Sequence, residues 1–272
     1  NGRLCYLDPF EGAKAAVAES TRNVVCSGAQ PLGITNCLNF GNPMKPEIFW
    51  QFKNAVLGMI EALKVLELPV TGGNVSLYNE NPQGAVDPTP VIGTVGLIEK
   101  EEHITTQGFK KAGDPILLLG AWSDAIDASS YLQRVHGMKR GKVPPVDLAK
   151  EKALQKTVLE AIRSVGVSSA HDLSEGGLAV ALAECCFGPG GGARVDLPSG
   201  LIAGKRLDGI LFGEAPSRVL LSVPESKLRA VEDICRANGV ECRRIGTVEK
   251  GSLKISAGGQ ALVDAKIEEL KD

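Results

Sequence analysis

Thr71-Gly72-Gly73-Asn74-Val75-Ser76-Leu77-Tyr78-Asn79-Glu80 is the most informative stretch of this chain. The apolar strand end Pro69-Val70-Thr71 runs into two glycines, then an asparagine and a serine. Glycine lets a backbone approach a phosphate closely, and successive N–H groups can point inward as an anion nest. An asparagine carbonyl is a suitable oxygen ligand for Mg2+, and a serine hydroxyl can donate to a phosphate or amide oxygen. The same residues also fit a plain β-turn with a serine-capped exit. A second stretch, Gly33-Ile34-Thr35-Asn36-Cys37-Leu38-Asn39-Phe40-Gly41-Asn42-Pro43, delivers polar residues at the end of a strand, where α/β sheets bind ligands. Alone, it reads equally well as a strand closed by an Asn-rich turn.

The flanking sequence fixes the architecture around these segments. Leu4–Leu7 reads as a short strand. Asp8-Pro9 then opens a helix, with Asp as N-cap, Pro at the first helical position and Glu11 in the first turn; it runs to about Cys26 and stops at Ser27-Gly28. Leu32–Leu38 is a strand, and Pro46 opens a second long helix. In that helix Phe49, Phe52, Val56, Ile60, Leu63 and Leu66 recur at spacings of three and four and predict the buried face. Pro90–Ile98 is a further strand, and the charged run Glu99–Lys111 marks a boundary. Beyond it, strands are predicted at Asp114–Leu119, Arg218–Val223, Val240–Thr247 and Leu253–Ile255, with helices at Leu148–Val165, Gly176–Cys186 and Ser226–Asn238. This alternation predicts an α/β (α+β) chain of two domains, residues 1–104 and 105–272, each a mixed sheet layered with helices. Gly188-Pro189-Gly190-Gly191-Gly192 reads as a mobile loop.

Composition narrows the function. A formal net charge of −2, with both signs interspersed, advertises no surface for nucleic acid or membrane. No run of about 18 apolar residues is present. The seven cysteines are odd in number and form no Cys-x-x-Cys, which favours reduced thiols in a cytoplasmic protein over disulfides or a zinc site. The start, Asn-Gly-Arg-Leu-Cys, has neither an initiating Met nor a signal-peptide layout, so the chain is expected to be part of a longer one. His171-Asp172 invites a metal-hydrolase reading, but three histidines are too few for a typical site of that kind; a helix start capped by Asp172 or Ser174 is preferred. Trp50 and Trp122 read as packing residues, and Lys139-Arg140-Gly141-Lys142 as a solvated basic loop.

Taken together, the motifs are far more specific than any one alone. CLNFGNP (37–43), KPEIFWQF (45–52), TGGNVSLYNE (71–80), the helix segment 7–29, SSAHDLSEGGLAVALAE (168–184) and LFGEAPSRVLLSV (211–223) resemble, in order and spacing, the second half of formylglycinamide ribonucleotide amidotransferase (phosphoribosylformylglycinamidine synthase), in its small bacterial and archaeal form. The resemblance implies one of two tandem units similar to aminoimidazole ribonucleotide synthetase, each an N-type domain that supplies half of an ATP cleft followed by a C-type α/β domain. It implies that Asn36 and Gly73 touch ATP, that Asn74 ligates Mg2+ and that Ser76 touches the formylglycinamide substrate. The family pattern carries Asp at position 36; Asn36 keeps an acceptor and loses the charge.

The family's catalytic histidine, ATP lysine and metal carboxylates belong to the first half. Here Arg22-Asn23 stands where that half has Arg-Asp, and no histidine lies upstream, so no catalytic residue is expected in this chain. The same comparison leaves a vestigial nucleotide site at Asp172 as the weaker alternative to a helix cap, and makes Glu214-Ala215-Pro216 resemble a remnant of a substrate loop. The implied partners are the first half, a glutaminase subunit and a small bridging subunit. The rival readings are a non-catalytic scaffold half and another ATP-dependent enzyme of the superfamily. A homodimer through residues 1–104 is expected of the isolated chain.

Overall fold

The computed structural model describes residues 1–271. The first unit runs α1 (Gly2–Leu7), α2 (Pro9–Cys26), β1 (Gln30–Asn39), α3 (Pro46–Leu66), β2 (Val70–Ser76), the two-residue strands β3 (Glu80–Asn81) and β4 (Gly84–Ala85), and β5 (Thr89–Leu97). Asp8 caps α2 as predicted, its carboxylate accepting from Phe10 N and Glu11 N. Leu4–Leu7 is not a strand but the body of α1, whose backbone lies against α2: a Cβ on Gly12 would stand 2.5 Å from Cys5 N. Four apolar letters cannot distinguish a short helix from a strand, and this contact with α2 decides it.

The sheet of this unit has the order β2-β1-β5, with β2 parallel and β5 antiparallel to β1. α2 covers one face and α3 packs on α2. The two helices meet through small residues: a Cβ on Gly58 of α3 would stand 2.1 Å from the Phe10 carbonyl oxygen. This contact rotates α3 away from the predicted face. Ile48, Ala55, Met59, Ala62 and Leu63 are buried, whereas Phe49 and Ile60 are 53% and 40% exposed. Trp50 is exposed as well, so it is not the packing residue expected, while Trp122 does pack against the second unit's core. The other face of the sheet is bare, with Leu32, Val91, Val95 and Leu97 all more than half exposed.

The second unit comprises β6 (Pro115–Leu119), α4 (Ser130–His136), α5 (Leu148–Glu160, continued by a π turn at Ala161–Val165), β7 (Ser169–Asp172), α6 (Gly177–Cys186), β8 (Ala193–Leu197), α7 (Ser199–Ile202), α8 (Leu207–Phe212), β9 (Val219–Ser222), α9 (Leu228–Ala237), β10 (Cys242–Val248), β11 (Ser252–Ala257) and β12 (Gln260–Lys266). These strands form one mixed sheet of order β12-β11-β8-β10-β6-β9-β7. β6 lies inside it and feeds two cores by alternation. Ile116 and Leu118 join the core containing α6, while Leu117 and Leu119 join the core containing α5 and α9. The glycine run 188–192 is pinned rather than mobile. Gly190 N donates to Phe109 O at 2.7 Å, and a Cβ on Gly188 would stand 2.6 Å from Gly108, so these glycines permit close backbone contact.

Buried charges join the two units. Arg22 of α2 donates to both carboxylate oxygens of Glu151 on α5, at 3.0 and 3.1 Å, and lies 3.4 Å from Asp172 on β7. Asp172 therefore closes β7 and pairs with Arg22; it does not cap α6, which has no side-chain cap. His171 bonds Glu184 at 2.8 Å. Glu214, expected in a substrate loop, instead accepts from Arg3 Nη2 at 2.8 Å, Ser130 N at 2.8 Å and Gly176 N at 2.9 Å. Lys139 is likewise not simply solvated. Its ammonium pairs with Asp87 of the first unit at 2.5 Å and sits 3.7 Å from the centre of the Tyr6 ring.

Candidate functional site

The residues singled out by sequence come together on two adjacent parallel strands, near their C-terminal ends. In the register of β1 and β2, Asn36 lies opposite Gly73, Cys37 opposite Asn74, and Asn39 opposite Ser76. Gly72 and Gly73 are inside β2, with no left-handed backbone at either position, so neither the turn nor the anion nest is formed there. The glycine at 73 serves the strand pair: a Cβ would stand 2.2 Å from Asn36 Oδ1 and 2.7 Å from Asn36 O. Its absence leaves room for the Asn36 side chain against the strand.

Alternation along the strands divides the four residues between the two faces of the sheet. Asn36 and Gly73 share the side of buried Ile34 and Leu38. Asn74 and Ser76 share the bare side with Cys37 and Asn39. β2 is an edge strand and exposed nearly throughout, so both groups are reachable from solvent. Among the described residues, no side-chain hydrogen bond engages Asn36, and Asn74 makes one, from Nδ2 to Cys37 Sγ at 3.6 Å. The Asn74 carbonyl oxygen is left without a donor.

The loops beyond the strands are tied together. Phe40 N donates to Ser76 O at 3.0 Å, Tyr78 N to Gly41 O at 3.0 Å, and Asn79 Nδ2 to Phe40 O at 3.1 Å and Ser76 O at 2.9 Å. The Ser76 hydroxyl sits 3.2 Å from Asn79 Oδ1. Tyr78 takes a left-handed conformation, φ 60°, that its side chain disfavours, and is 60% exposed. Glu80 closes the loop: it bonds Asn42 N, and the Lys45 ammonium, at 3.0 Å, holds its carboxyl below the usual range.

Sequence reading missed Cys37 and Asn39, which share the open face with Asn74 and Ser76; strand alternation was the available signal. A cleft of about 910 Å³ lies elsewhere, in the second unit between Trp122, Ile126, Val143, Pro144, Leu154 and Pro216. It contains none of the residues above. Among the described residues, no group of three or more His, Cys, Asp or Glu side chains could hold a metal ion, all seven cysteines are free, and no helix is long and apolar enough to cross a membrane.

Residues 1–98 match the family described as AIR synthase related protein, N-terminal domain, and residues 111–257 match AIR synthase related protein, C-terminal domain. The chain is 46% identical over 272 residues to phosphoribosylformylglycinamidine synthase subunit PurL of Alkaliphilus metalliredigens, covering all of this chain and 36% of that protein. It is 49% identical over 271 residues to the subunit PurL of Moorella thermoacetica, covering 99% of this chain and 36% of that one. The chain thus spans little more than a third of the length of the curated relatives it matches.

Among solved structures, T. maritima PurL complexed with FGAR matches with a TM-score of 0.81 at 19% identity, over 99% of this chain and 44% of that one. Hydrogenase maturation protein HypE in complex with ATP matches with a TM-score of 0.68 at 16% identity, over 95% of this chain and 80% of that one. The HypE match spans most of both molecules, so the fold common to all of them is the two-unit arrangement described above. On the family match over both units, the chain belongs to the AIR synthase related protein family.

Proposed function

We propose that this chain is the second half of the synthetase subunit of phosphoribosylformylglycinamidine synthase, with its units divided at 104/105, and that it forms one side of the cleft where formylglycinamide ribonucleotide, ATP and ammonia become formylglycinamidine ribonucleotide, ADP and phosphate. The observation that carries this reading is the set of polar residues at the ends of β1 and β2, with the carbonyl oxygen of Asn74 free on an open face. The relatives named PurL, and the PurL structures titled with FGAR and with ATP, support it.

In this reaction the carbonyl oxygen of the glycinamide amide, not that of the retained formyl group, attacks the γ-phosphorus and ADP leaves. Ammonia then adds to the imidate carbon, and phosphate departs with the former amide oxygen, giving the amidine. Catalysis is mainly alignment and charge stabilisation. Asn36 and the bare backbone at Gly73 hold the nucleotide, and the Ser76 hydroxyl, already oriented by Asn79, bonds the formylglycinamide substrate. Mg2+, when bound, would neutralise phosphate charge. This chain fits such an ion as a contributor of one neutral oxygen, that of Asn74. Magnesium sites ordinarily add one or two carboxylates and substrate phosphates, so the carboxylates come from outside this chain.

The catalytic residues likewise lie in the first half, ammonia comes from a glutaminase subunit joined by a small bridging subunit, and the assembly works in the cytoplasm. One observation favours a purely scaffolding role for part of this half. Asp172, at the position of a metal-binding aspartate in the first repeat, is already engaged by Arg22.

In the full-length enzyme, Asn74→Ala is expected to weaken use of Mg2+-ATP, with part of the loss recovered at raised Mg2+. Ser76→Ala removes one hydrogen bond, worth about 0.5–1.5 kcal/mol, and is expected to raise KM for formylglycinamide ribonucleotide about 2- to 12-fold with little change in ATP dependence. Steady-state kinetics for both substrates provide the check; two folded variants with wild-type constants would remove the site.

The isolated chain is expected to form no amidine and to self-associate through the bare sheet face, which the remaining two-thirds of the polypeptide would otherwise cover. Light scattering at high micromolar concentration and an assay with free ammonia test both points. A stable monomer, or turnover abolished by a mutation within the chain, would contradict them.

A further inference from the structure

We infer that Cys37 is a positioning residue of this site: its sulfur accepts the Asn74 amide N–H and so turns the Asn74 carbonyl oxygen outward, toward the bound ligand. The inference rests on the nucleotide and magnesium reading of β1 and β2 given above. Cys37 and Asn74 are register partners on parallel strands, so both side chains leave the sheet on the same face. Asn74 Nδ2 lies 3.6 Å from Cys37 Sγ, and no other described residue bonds that amide.

The sulfur is itself held in place. Asn39, two residues further along the same face, sets its Nδ2 3.8 Å from Cys37 Sγ, 3.3 Å from Cys37 O and 3.1 Å from Thr89 O. Asn39 is therefore anchored to β5 as well as to its own strand, and its Oδ1 lies 4.0 Å from the thiol, within reach as the acceptor of the S–H.

The chemistry of the amide explains why an acceptor at this point matters. The two ends of an asparagine side chain have nearly the same shape and opposite hydrogen-bonding character. Only the carbonyl end can ligate a hard cation. An unrestrained Asn74 on an exposed edge strand would divide its time between the two orientations. An acceptor beside Nδ2 favours the ligating one before any ligand arrives, which lowers the ordering cost of binding. A hydrophobic residue at 37 would fill the same space and supply no such preference.

The test uses the full-length protein and a direct binding readout. Mn2+ binding in the presence of a non-hydrolysable ATP analogue is followed by electron paramagnetic resonance for wild type, Asn74→Ala, Cys37→Ala and Cys37→Ser. Cys37→Ala is expected to raise the metal concentration at half-saturation about 2- to 10-fold, the range one net hydrogen bond supplies, and Cys37→Ser to recover part of the shift.

In parallel, iodoacetamide labelling of wild type is mapped by peptide mass spectrometry. Cys37 and Cys242 are the two cysteines that are not fully buried, so Cys242 is the internal control. Mg2+ with the analogue is expected to slow labelling at Cys37 and not at Cys242. If Asn74→Ala shifts metal binding while both Cys37 variants bind as wild type, the positioning role is wrong and the site stands. If Asn74→Ala leaves metal binding unmoved and Cys37 is not protected, the site reading itself fails. Should Cys37→Ala not fold, Cys37→Ser and the protection experiment decide.

Discussion

Replacing Arg22 with methionine is expected to destabilise the protein by about 3–5 kcal/mol, the cost of breaking a buried ion pair from one side. Arg22 is 2% exposed, and its carboxylate partners Glu151 and Asp172 are 0% and 2% exposed. Methionine matches the aliphatic stem but leaves two carboxylates facing each other in a space that excludes water. Their remaining partners are few: Gln155 Nε2, at 2.8 Å from Glu151 Oε1, the Ser217 hydroxyl on Glu151, and His171 Nδ1, 3.8 Å from Asp172 Oδ1. The cluster also joins α2 of the first unit to α5 and β7 of the second, so the seam should loosen together with the fold.

Urea denaturation of wild type and variant measures the loss as a shift of the midpoint. The triple variant Arg22→Met, Glu151→Gln, Asp172→Asn should recover part of it, because none of the three positions then carries a buried charge. A single-variant loss below about 1 kcal/mol, the range of exposed pairs, would mean that this cluster reaches water.

Glu214→Ala is expected to cost a similar amount, about 3–5 kcal/mol, by a different route. One carboxylate satisfies three donors: the Arg3 guanidinium and the backbone N–H groups of Ser130 and Gly176. Truncation leaves a buried cation with fewer partners and two backbone donors without any, and orphaned buried groups are what make such deletions costly. Arg3 would keep Ala128 O at 2.8 Å and Gln133 Oε1 at 3.2 Å, which limits the damage on its side. Glu214→Gln retains an acceptor for the two amides and loses the charge opposite Arg3, so it should fall between wild type and alanine. Hydrogen exchange at the amides of Ser130 and Gly176 separates the two contributions: fast in the alanine variant, slower in the glutamine one. Unchanged protection at both amides in Glu214→Ala would show that the loop is held by other contacts.

Local signals made much of the architecture legible. Asp8 followed by Pro9 fixed the start of α2 because a carboxylate cap and a pre-set φ act within one turn. Pro46 did the same for α3, and the unbroken run Ile116–Leu119 announced a strand buried on both faces. The site motifs were legible because Asn36, Gly73, Asn74 and Ser76 lie on neighbouring strands whose order follows the chain. Their division between two sheet faces was implicit in strand alternation, once Gly72–Ser76 is a strand rather than a turn.

Other features depend on residues far apart in the chain. Whether Leu4–Leu7 is helix or strand depends on how it meets Gly12 of α2, and which stripe of α3 is buried depends on how closely Gly58 admits the Phe10 backbone. Arg22 finds its partners 129 and 150 residues away, and Arg3 meets Glu214 at a separation of 211. The pairing of Cys37 with Asn74 exists only in the register of β1 against β2. The sequence by itself therefore determined most of the long elements and their order, because caps, proline and hydrophobic period act over a few residues, and its motifs singled out the candidate site residues. Only the tertiary structure decided which faces are covered, which charges are buried together and which end of Asn74 points outward, because each of these is set by contacts between segments that no local pattern encodes.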